Sequence, residues 1–492
     1  IDALSGFTAS NATGTVTITN DDGGPVELDI TAGSAKTATY AIADYSDLTI
    51  SGMEAGTALN VYSGDSVTAN LADASGTADH LIVNLATDAA DKGYNHTVGA
   101  VVASNIETVT VNASGMTDAK VTTLSALTLD SVATTLNVTG DSDLVLSDIT
   151  ALTKAATINA STFSGDLSLT GAASLVQAIT TGTGNDTIIM GTALTATDVI
   201  DGGGNSAVAV TGVAGKDTLT ASGAIGTVST AMAAQIANVE TVQFSNGTSD
   251  VYLDAAGVTG ASSLAFSATS GTTTLTNVAA GQVIGNGIAA VGLVGTLSVT
   301  LADETGTADA ITLAVPNAVS SATTTVVKTA GIETVNITAS TDSGSADVTT
   351  FTTTNMAAAN VVITSGQAAN TVALGTLNVA TTNVDASAYK GILTMTGGTG
   401  IAMTVSALGG VANTINTSTG SDTVTLTGKL GTAINVTNAS TGTLDTLNAT
   451  ADSDATDFTS VQGYETINLT VSNGAAAGFD NATKTDGLML AT

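Results

Sequence analysis

Short runs in which apolar, mostly β-branched residues alternate with Thr, Asn or Ser recur along the whole chain. Examples are Thr15-Val-Thr-Ile-Thr19, Thr108-Val-Thr-Val-Asn112, Thr334-Val-Asn-Ile-Thr338 and Thr466-Ile-Asn-Leu-Thr-Val471. A period of two places every apolar side chain of a run on one face, which predicts short, half-buried β-strands. The chain has 53 glycines and only two prolines. The turns between strands must therefore be made by Gly, Asn and Asp, which tolerate positive φ. One stretch, Ser229-Thr-Ala-Met-Ala-Ala-Gln-Ile-Ala-Asn238, combines good helix formers with a Ser start and predicts a helix. The expected fold class is all-β with little helix.

The runs are laid out twice in the same order. Leu71-Ala-Asp-Ala-Ser-Gly-Thr-Ala-Asp79 returns as Leu301-Ala-Asp-Glu-Thr-Gly-Thr-Ala-Asp309, and Asn105-Ile-Glu-Thr-Val109 returns as Gly331-Ile-Glu-Thr-Val335. Ile158-Asn-Ala-Ser161 matches Val384-Asp-Ala-Ser387, and Val239-Glu-Thr-Val242 matches Tyr464-Glu-Thr-Ile467. These landmarks define a tandem duplication of a unit of about 225 residues, far longer than a simple solenoid repeat. The first unit is expected at 26–250 and the second at 251–475. Residues 476–492 are expected to open a third, because Phe479-Asp480 follows Ser472-Asn-Gly474 much as Tyr252-Leu-Asp254 follows Ser245-Asn-Gly247. Residues 1–25 match neither copy, and Ala12-Thr-Gly-Thr-Val-Thr-Ile-Thr-Asn-Asp-Asp22 resembles the closing strand of a Calx-β module. The chain begins at Ile1 without a signal sequence and reads as part of a longer protein. Duplication on this scale suggests a built surface more than a single catalytic pocket.

Composition narrows the function. Formal net charge is -33, yet only 10% of residues are charged and 43% are apolar, so the chain is acidic without the signature of disorder. Uncompensated carboxylates repel one another in a compact state, and bound cations are one way to relieve that. All nine basic residues are Lys, so the planar fork that grips phosphate is missing and nucleic acid is not an expected partner. Without cysteine there is no disulfide and no thiolate metal site. Aromatic residues make up 3%, which points to a thin core of Ala, Val, Leu, Ile and Thr methyl groups. The longest apolar runs, such as Gly287-Ile-Ala-Ala-Val-Gly-Leu-Val294, fall well short of a membrane span.

The inventory for catalysis is thin. His80 and His96 are the two histidines, and the position matching His80 in the second copy is Ala310. No H-E-x-x-H or G-x-S-x-G motif occurs. A carboxylate pair on a β-helix could hydrolyse a glycan, but aromatic platforms are few, and the chain is not expected to be an enzyme.

Candidate ligands are acidic and lie in glycine-rich turns. Thr181-Gly-Thr-Gly-Asn-Asp-Thr-Ile-Ile189 resembles the RTX calcium nonapeptide, with Gly182, Gly184, Asp186 and Ile188 in place. Gly212-Val-Ala-Gly-Lys-Asp-Thr-Leu219 is a second near-match through Gly215 and Asp217, and Asp198-Val-Ile-Asp-Gly-Gly-Gly204 offers Asp198, Asp201 and Gly203 between them. Glycine lets such a turn bend its carbonyls inward while Asp supplies hard oxygens to Ca²⁺. In the second copy Thr417-Ser-Thr-Gly-Ser-Asp-Thr-Val424 keeps Asp422, but Ala402 stands where another turn would need Asp. The paired Leu-Ala-Asp segments offer Asp73 with Asp79, and Asp303 and Glu304 with Asp309, as carboxylates for one cation or as solvated hairpins. Glu107, Glu240, Glu333 and Glu465 each stand at the mouth of a strand, either as ligands or as structural carboxylates bonded to backbone N–H groups. Asp452, Asp454 and Asp457 form an acidic insertion in the second copy.

From Gly295-Thr-Leu-Ser-Val-Thr-Leu301 through Ile332-Glu-Thr-Val-Asn-Ile337 to the glycine-rich turns, the chain resembles the lattice-forming part of RTX-type bacterial surface-layer proteins of the Caulobacter kind. The resemblance implies a Ca²⁺-stabilised β-solenoid or β-helix, export to the cell surface, and assembly into a two-dimensional array through calcium-bridged contacts. The partners it implies are further copies of the same chain, with cell-surface polysaccharide as a second candidate. A segment of a large calcium-binding repeat adhesin and a β-helical polysaccharide-active enzyme are the alternative readings.

Overall fold

In a computed structural model, the chain is an all-β, parallel β-solenoid. The structure describes the strands Phe7–Ala12, Thr15–Asn20, Val26–Asp29 and Thr39–Ile42. It also describes residues 47–471 apart from connecting stretches, the longest of which are 86–92, 205–216, 223–234, 286–294, 315–322, 340–347 and 452–460. Two compact units divide across residues 223–262.

Within each unit, successive strands alternate between two parallel ladders, so each coil contributes one strand to each. In the first unit one ladder is a ten-stranded sheet from Thr39–Ile42 to Val258–Thr259. The other runs from Val26–Asp29 to Thr218–Ser222. In the second unit a ten-stranded sheet runs from Val251–Asp254 to Val461–Gln462, and its partner ladder from Ser263–Ser267 to Thr466–Val471. The duplication is visible in the strand register. Thr108 pairs with His80 and Thr135, while its counterpart Thr334 pairs with Ala310 and Asn360.

The predicted alternation becomes alternating burial. Along Thr108–Ala113 the residues Val109, Val111 and Ala113 are buried, and Leu81, Val83 and Leu85 lie beneath them in register. The second unit repeats this with Val335, Ile337 and Ala339 over Ile311 and Leu313. Outward positions carry Thr and Asn. Asn60, Asn84 and Asn112 form an amide ladder, with Nδ2–Oδ1 distances of 2.6 and 3.2 Å. Such ladders pair side-chain donors and acceptors along the stack as the backbone pairs its own.

The expected helix is corrected in part. Gln235–Ala237 is a strand, paired with Val199–Asp201 on one side and Val258–Thr259 on the other. Local helix propensity is weak, a few tenths of a kcal/mol per residue, and an open parallel edge with a buried slot for Ile236 outweighs it. Residues 229–234 of that stretch lie outside the described residues, as do 476–492. Among the described residues the helical content is the single 3₁₀ turn Ala255–Gly257. Thr15–Asn20, within the Ala12–Asp22 stretch compared with a Calx-β strand, pairs antiparallel with Phe7–Ala12 in a separate two-stranded sheet.

Candidate functional site

All four Glu-Thr motifs are built alike. A left-handed residue turns the chain: Asn105 (φ 57°), Asn238 (φ 55°), Gly331 (φ 66°) or Gly463 (φ 79°). A buried side chain then plugs the core: Ile106, Val239, Ile332 or Tyr464. The glutamate that follows reaches to the coil before it. Glu107, Glu240, Glu333 and Glu465 accept the backbone N–H of Asp79, Asp217, Asp309 and Asp445 at 2.8, 2.7, 2.9 and 2.9 Å. The Thr after each glutamate donates its N–H to the carbonyl of the same aspartate, at 3.0 Å in every case. Each motif is thus a two-point clamp between neighbouring coils. Glu240→Ala leaves a buried N–H unpaired and is expected to cost about 1–3 kcal/mol in urea unfolding. Glu240→Gln keeps an acceptor and should cost less.

In the first unit the clamp extends into the RTX-like turns as a chain of carboxylates. Asp186 is fully buried; its Oδ1 accepts the Leu167 N–H at 2.8 Å and its Oδ2 the Gly182 N–H at 3.1 Å. The Asp186 N–H donates to Asp217 Oδ1 at 2.8 Å, and the Asp217 N–H to Glu240. Asp217 is 1% exposed, and its Oδ2 is buried without a hydrogen-bond partner. A Cβ added to Gly202 would stand 2.9 Å from that oxygen. Burial pushes Asp186 above the usual carboxylate range. Burial, with the charges of Asp186, Glu240 and Asp166 adding to it, pushes Asp217 up to about 7.

A raised pKa in the folded state means that the native protein holds a proton which the unfolded chain gives up between about pH 4 and pH 7. In metal-free buffer, stability should therefore fall as pH rises through that window, by at most about 1.4 kcal/mol per pH unit from this group. Comparing urea midpoints at pH 5 and pH 7.5 checks this, and Asp217→Asn should remove that share of the slope.

The second unit repeats the chain with one change. Met403 N–H donates to Asp422 Oδ1 at 2.7 Å, Asp422 N–H to Asp445 Oδ1 at 2.7 Å, and Asp445 N–H to Glu465. Here Asn438, where the first unit has Gly202, donates Nδ2 to Asp422 Oδ2 at 2.8 Å and to Thr417 Oγ1 at 3.0 Å. The Tyr464 hydroxyl, where the first unit has Val239, lies 3.2 Å from Thr417 Oγ1. In the first unit Thr181 Oγ1 instead bonds the Gly202 carbonyl at 2.7 Å. Asp422 is pushed up by burial too; the Thr417 hydroxyl bonds it as the Thr181 hydroxyl bonds Asp186, and the Asn438 amide is the added donor.

The turn glycines have a packing reason. A Cβ on Gly184 would lie 2.2 Å from Gly165 O, and one on Gly203, whose φ is +77°, 2.2 Å from Gly182 O. Neighbouring turns stack backbone on backbone. Asp198 is fully buried, with Oδ1 on the Gln177 N–H at 2.8 Å and Oδ2 on the Thr195 N–H at 2.7 Å. Asp201 Oδ1 takes the Gly203 N–H and the Asn238 amide at 3.0 and 2.7 Å. Gly215 and the cluster Asp452, Asp454 and Asp457 lie outside the described residues.

In the Leu-Ala-Asp segments, Asp73 and Asp303 are exposed and bonded within their own loops. Asp73 Oδ1 accepts the Ser75 N–H and hydroxyl, and Asp303 Oδ1 those of Thr305; these bonds hold both carboxyls below the usual range. Asp79 and Asp309 are the clamp residues. His80 Nε2 meets Thr110 Oγ1 at 2.9 Å. Among the described residues no three His, Cys, Asp or Glu side chains converge as a ready metal cage, so any hard cation here would draw on one or two carboxylates plus carbonyls and water.

Asp445, Asn438 and Tyr464 were not singled out from the sequence. A signal for Asp445 was there: Asp217-Thr-Leu219 and Asp445-Thr-Leu447 recur one coil before the last Glu-Thr motif of each unit. No family model matches the chain, and neither a curated protein nor a solved structure matches it. No helix among the described residues is long and apolar enough to cross a membrane.

Proposed function

We propose that this protein is an extracellular structural protein of the RTX surface-layer type, forming a calcium-dependent layer or array on a bacterial cell by contacts between copies of itself. The observation that carries the calcium part is the buried Asp217 Oδ2 without a partner beside Gly202, where the second unit has the Asn438 amide next to its own carboxylate chain. Ca²⁺ suits such a place because it takes carboxylate and carbonyl oxygens in flexible geometry. Bound there, it would neutralise the Asp186–Asp217–Glu240 chain, where the second unit has the Asn438 amide as an added donor. An acidic stack of parallel coils also fits a scaffold that calcium both stiffens and bridges. Light scattering and electron microscopy of the purified chain, with millimolar calcium and then with chelator, test the reading. Ordered assemblies should appear with calcium and disperse without it; assembly indifferent to calcium would sink the proposal.

The antiparallel hairpin Phe7–Asn20, set beside parallel solenoid units, favours one second reading, a segment of a multi-module repeat adhesin. A full-length gene product carrying a long run of such units would support it over a layer protein.

A further inference from the structure

We propose that the Asp79–Glu107 pair, and its copy Asp309–Glu333 in the second unit, each hold a hard divalent cation of the Ca²⁺ class beneath the Leu-Ala-Asp loop. These sites lie outside the RTX-like turns, and the inference rests on the calcium reading above.

The spacing in the sequence had paired Asp79 with Asp73. The fold gives Asp79 a different carboxylate neighbour, because Glu107 reaches across from the next coil to the Asp79 N–H at 2.8 Å. Glu333 does the same for Asp309 at 2.9 Å. Asp79 is 9% exposed, and its Oδ2 is buried without a hydrogen-bond partner; Asp309 Oδ2 is in the same condition. The loop sets a glycine directly over each carboxylate. A Cβ on Gly76 would stand 2.9 and 3.0 Å from the two Asp79 carboxylate oxygens, and one on Gly306 would stand 2.4 and 2.6 Å from those of Asp309. Glycine at both positions keeps the space above each carboxylate free of side chain.

In each pair the glutamate is half-buried and the aspartate Oδ2 is fully covered; like charges on touching coils repel and lose solvation. A backbone N–H satisfies one glutamate oxygen, and the aspartate Oδ2 has no such donor. A hard cation answers both problems, drawing its other ligands from loop carbonyls and water. With only two carboxylates per site, affinity belongs in the weak range of extracellular modules, roughly 10⁻⁴–10⁻³ M. The same arrangement in both units, including the glycine, sets these sites apart from the Asp217 turn, whose surroundings the second unit has changed.

The full chain, stripped of metal, would be titrated with CaCl₂ while bound ions are counted by equilibrium dialysis and thermal unfolding is recorded. Asp79→Asn with Asp309→Asn should lose one ion per unit and the millimolar phase of the rise in Tm, and should unfold at a higher temperature than the parent in chelator, since the amide supplies its own donor. Asp217→Asn should keep both ions. Gly76→Ala, in an exposed loop, should weaken the first-unit site several-fold and serves if the double variant folds poorly. Unchanged ion count and unchanged millimolar phase in the double variant would overturn this inference. Loss of an ion in Asp217→Asn alone would leave the turn reading standing, loss in the double variant alone would leave only this one, and no binding by the parent would end both.

Discussion

Gly182→Ala is expected to be among the most damaging single substitutions in the first unit, costing more than ~4 kcal/mol or preventing folding of that unit. A Cβ there would stand 1.8 Å from Phe163 O, 2.7 Å from Phe163 C and 3.0 Å from Ala160 O. All three contacts are backbone atoms of the preceding coil, so no side-chain rotation relieves them. That coil is anchored by the fully buried Phe163 ring and by the Thr183 N–H bond to Phe163 O at 3.1 Å, and parting the coils breaks both. Gly93→Ala is the control, because nothing lies within 4 Å of its Cβ position. Urea unfolding in saturating calcium reads both. A loss of less than about 1 kcal/mol at Gly182 would mean that the turns do not stack as described.

On the calcium reading proposed above, chelation should give the second large effect, and it should fall unevenly on the two units. A ligand at a hundredfold excess over its Kd stabilises the folded state by about 2.7 kcal/mol, so chelation should lower the melting temperature of the first unit by several degrees. The second unit should move less at the corresponding turn, because the buried Asp445, which stands where the first unit has Asp217, has no buried oxygen left without a partner. Asp217→Asn is the decisive variant. An amide in place of the buried carboxylate removes one charge beside Asp186 and Glu240 and supplies a donor, so the melting temperature in chelator should approach that of the parent in calcium. Calorimetry at pH 8 with and without chelator would show this as two transitions, the first unit's moving further. Equal movement of both, or no rescue by Asp217→Asn, would refute the asymmetry between units.

The strands were legible because a two-residue period needs no tertiary information. Val109, Val111 and Ala113 are buried as their spacing requires, and their counterparts follow in the second unit. The Glu-Thr landmarks were legible as places, since each stands before a strand, but their partners were not. Nothing in the spacing joins Glu107 to Asp79 or Glu465 to Asp445, because those bonds cross from coil to coil over intervals set by loop length. The same ignorance paired Asp79 with Asp73, its neighbour in the chain, when Ser75 takes Asp73 and Glu107 reaches Asp79. Gln235–Ala237 was read as helix for a related reason: its composition is helical, and only the open strand edges beside it make it β.

By itself, then, the sequence determined the class of fold, its duplication and the acidic character of its turns, all of which follow from local alternation and composition. The tertiary structure alone decided which carboxylates share a backbone donor, which glycines must stay bare, and where a buried Asp oxygen has no donor. A solenoid stacks residues twenty to thirty positions apart at strand spacing, and its polar bonds are made in that direction, across coils.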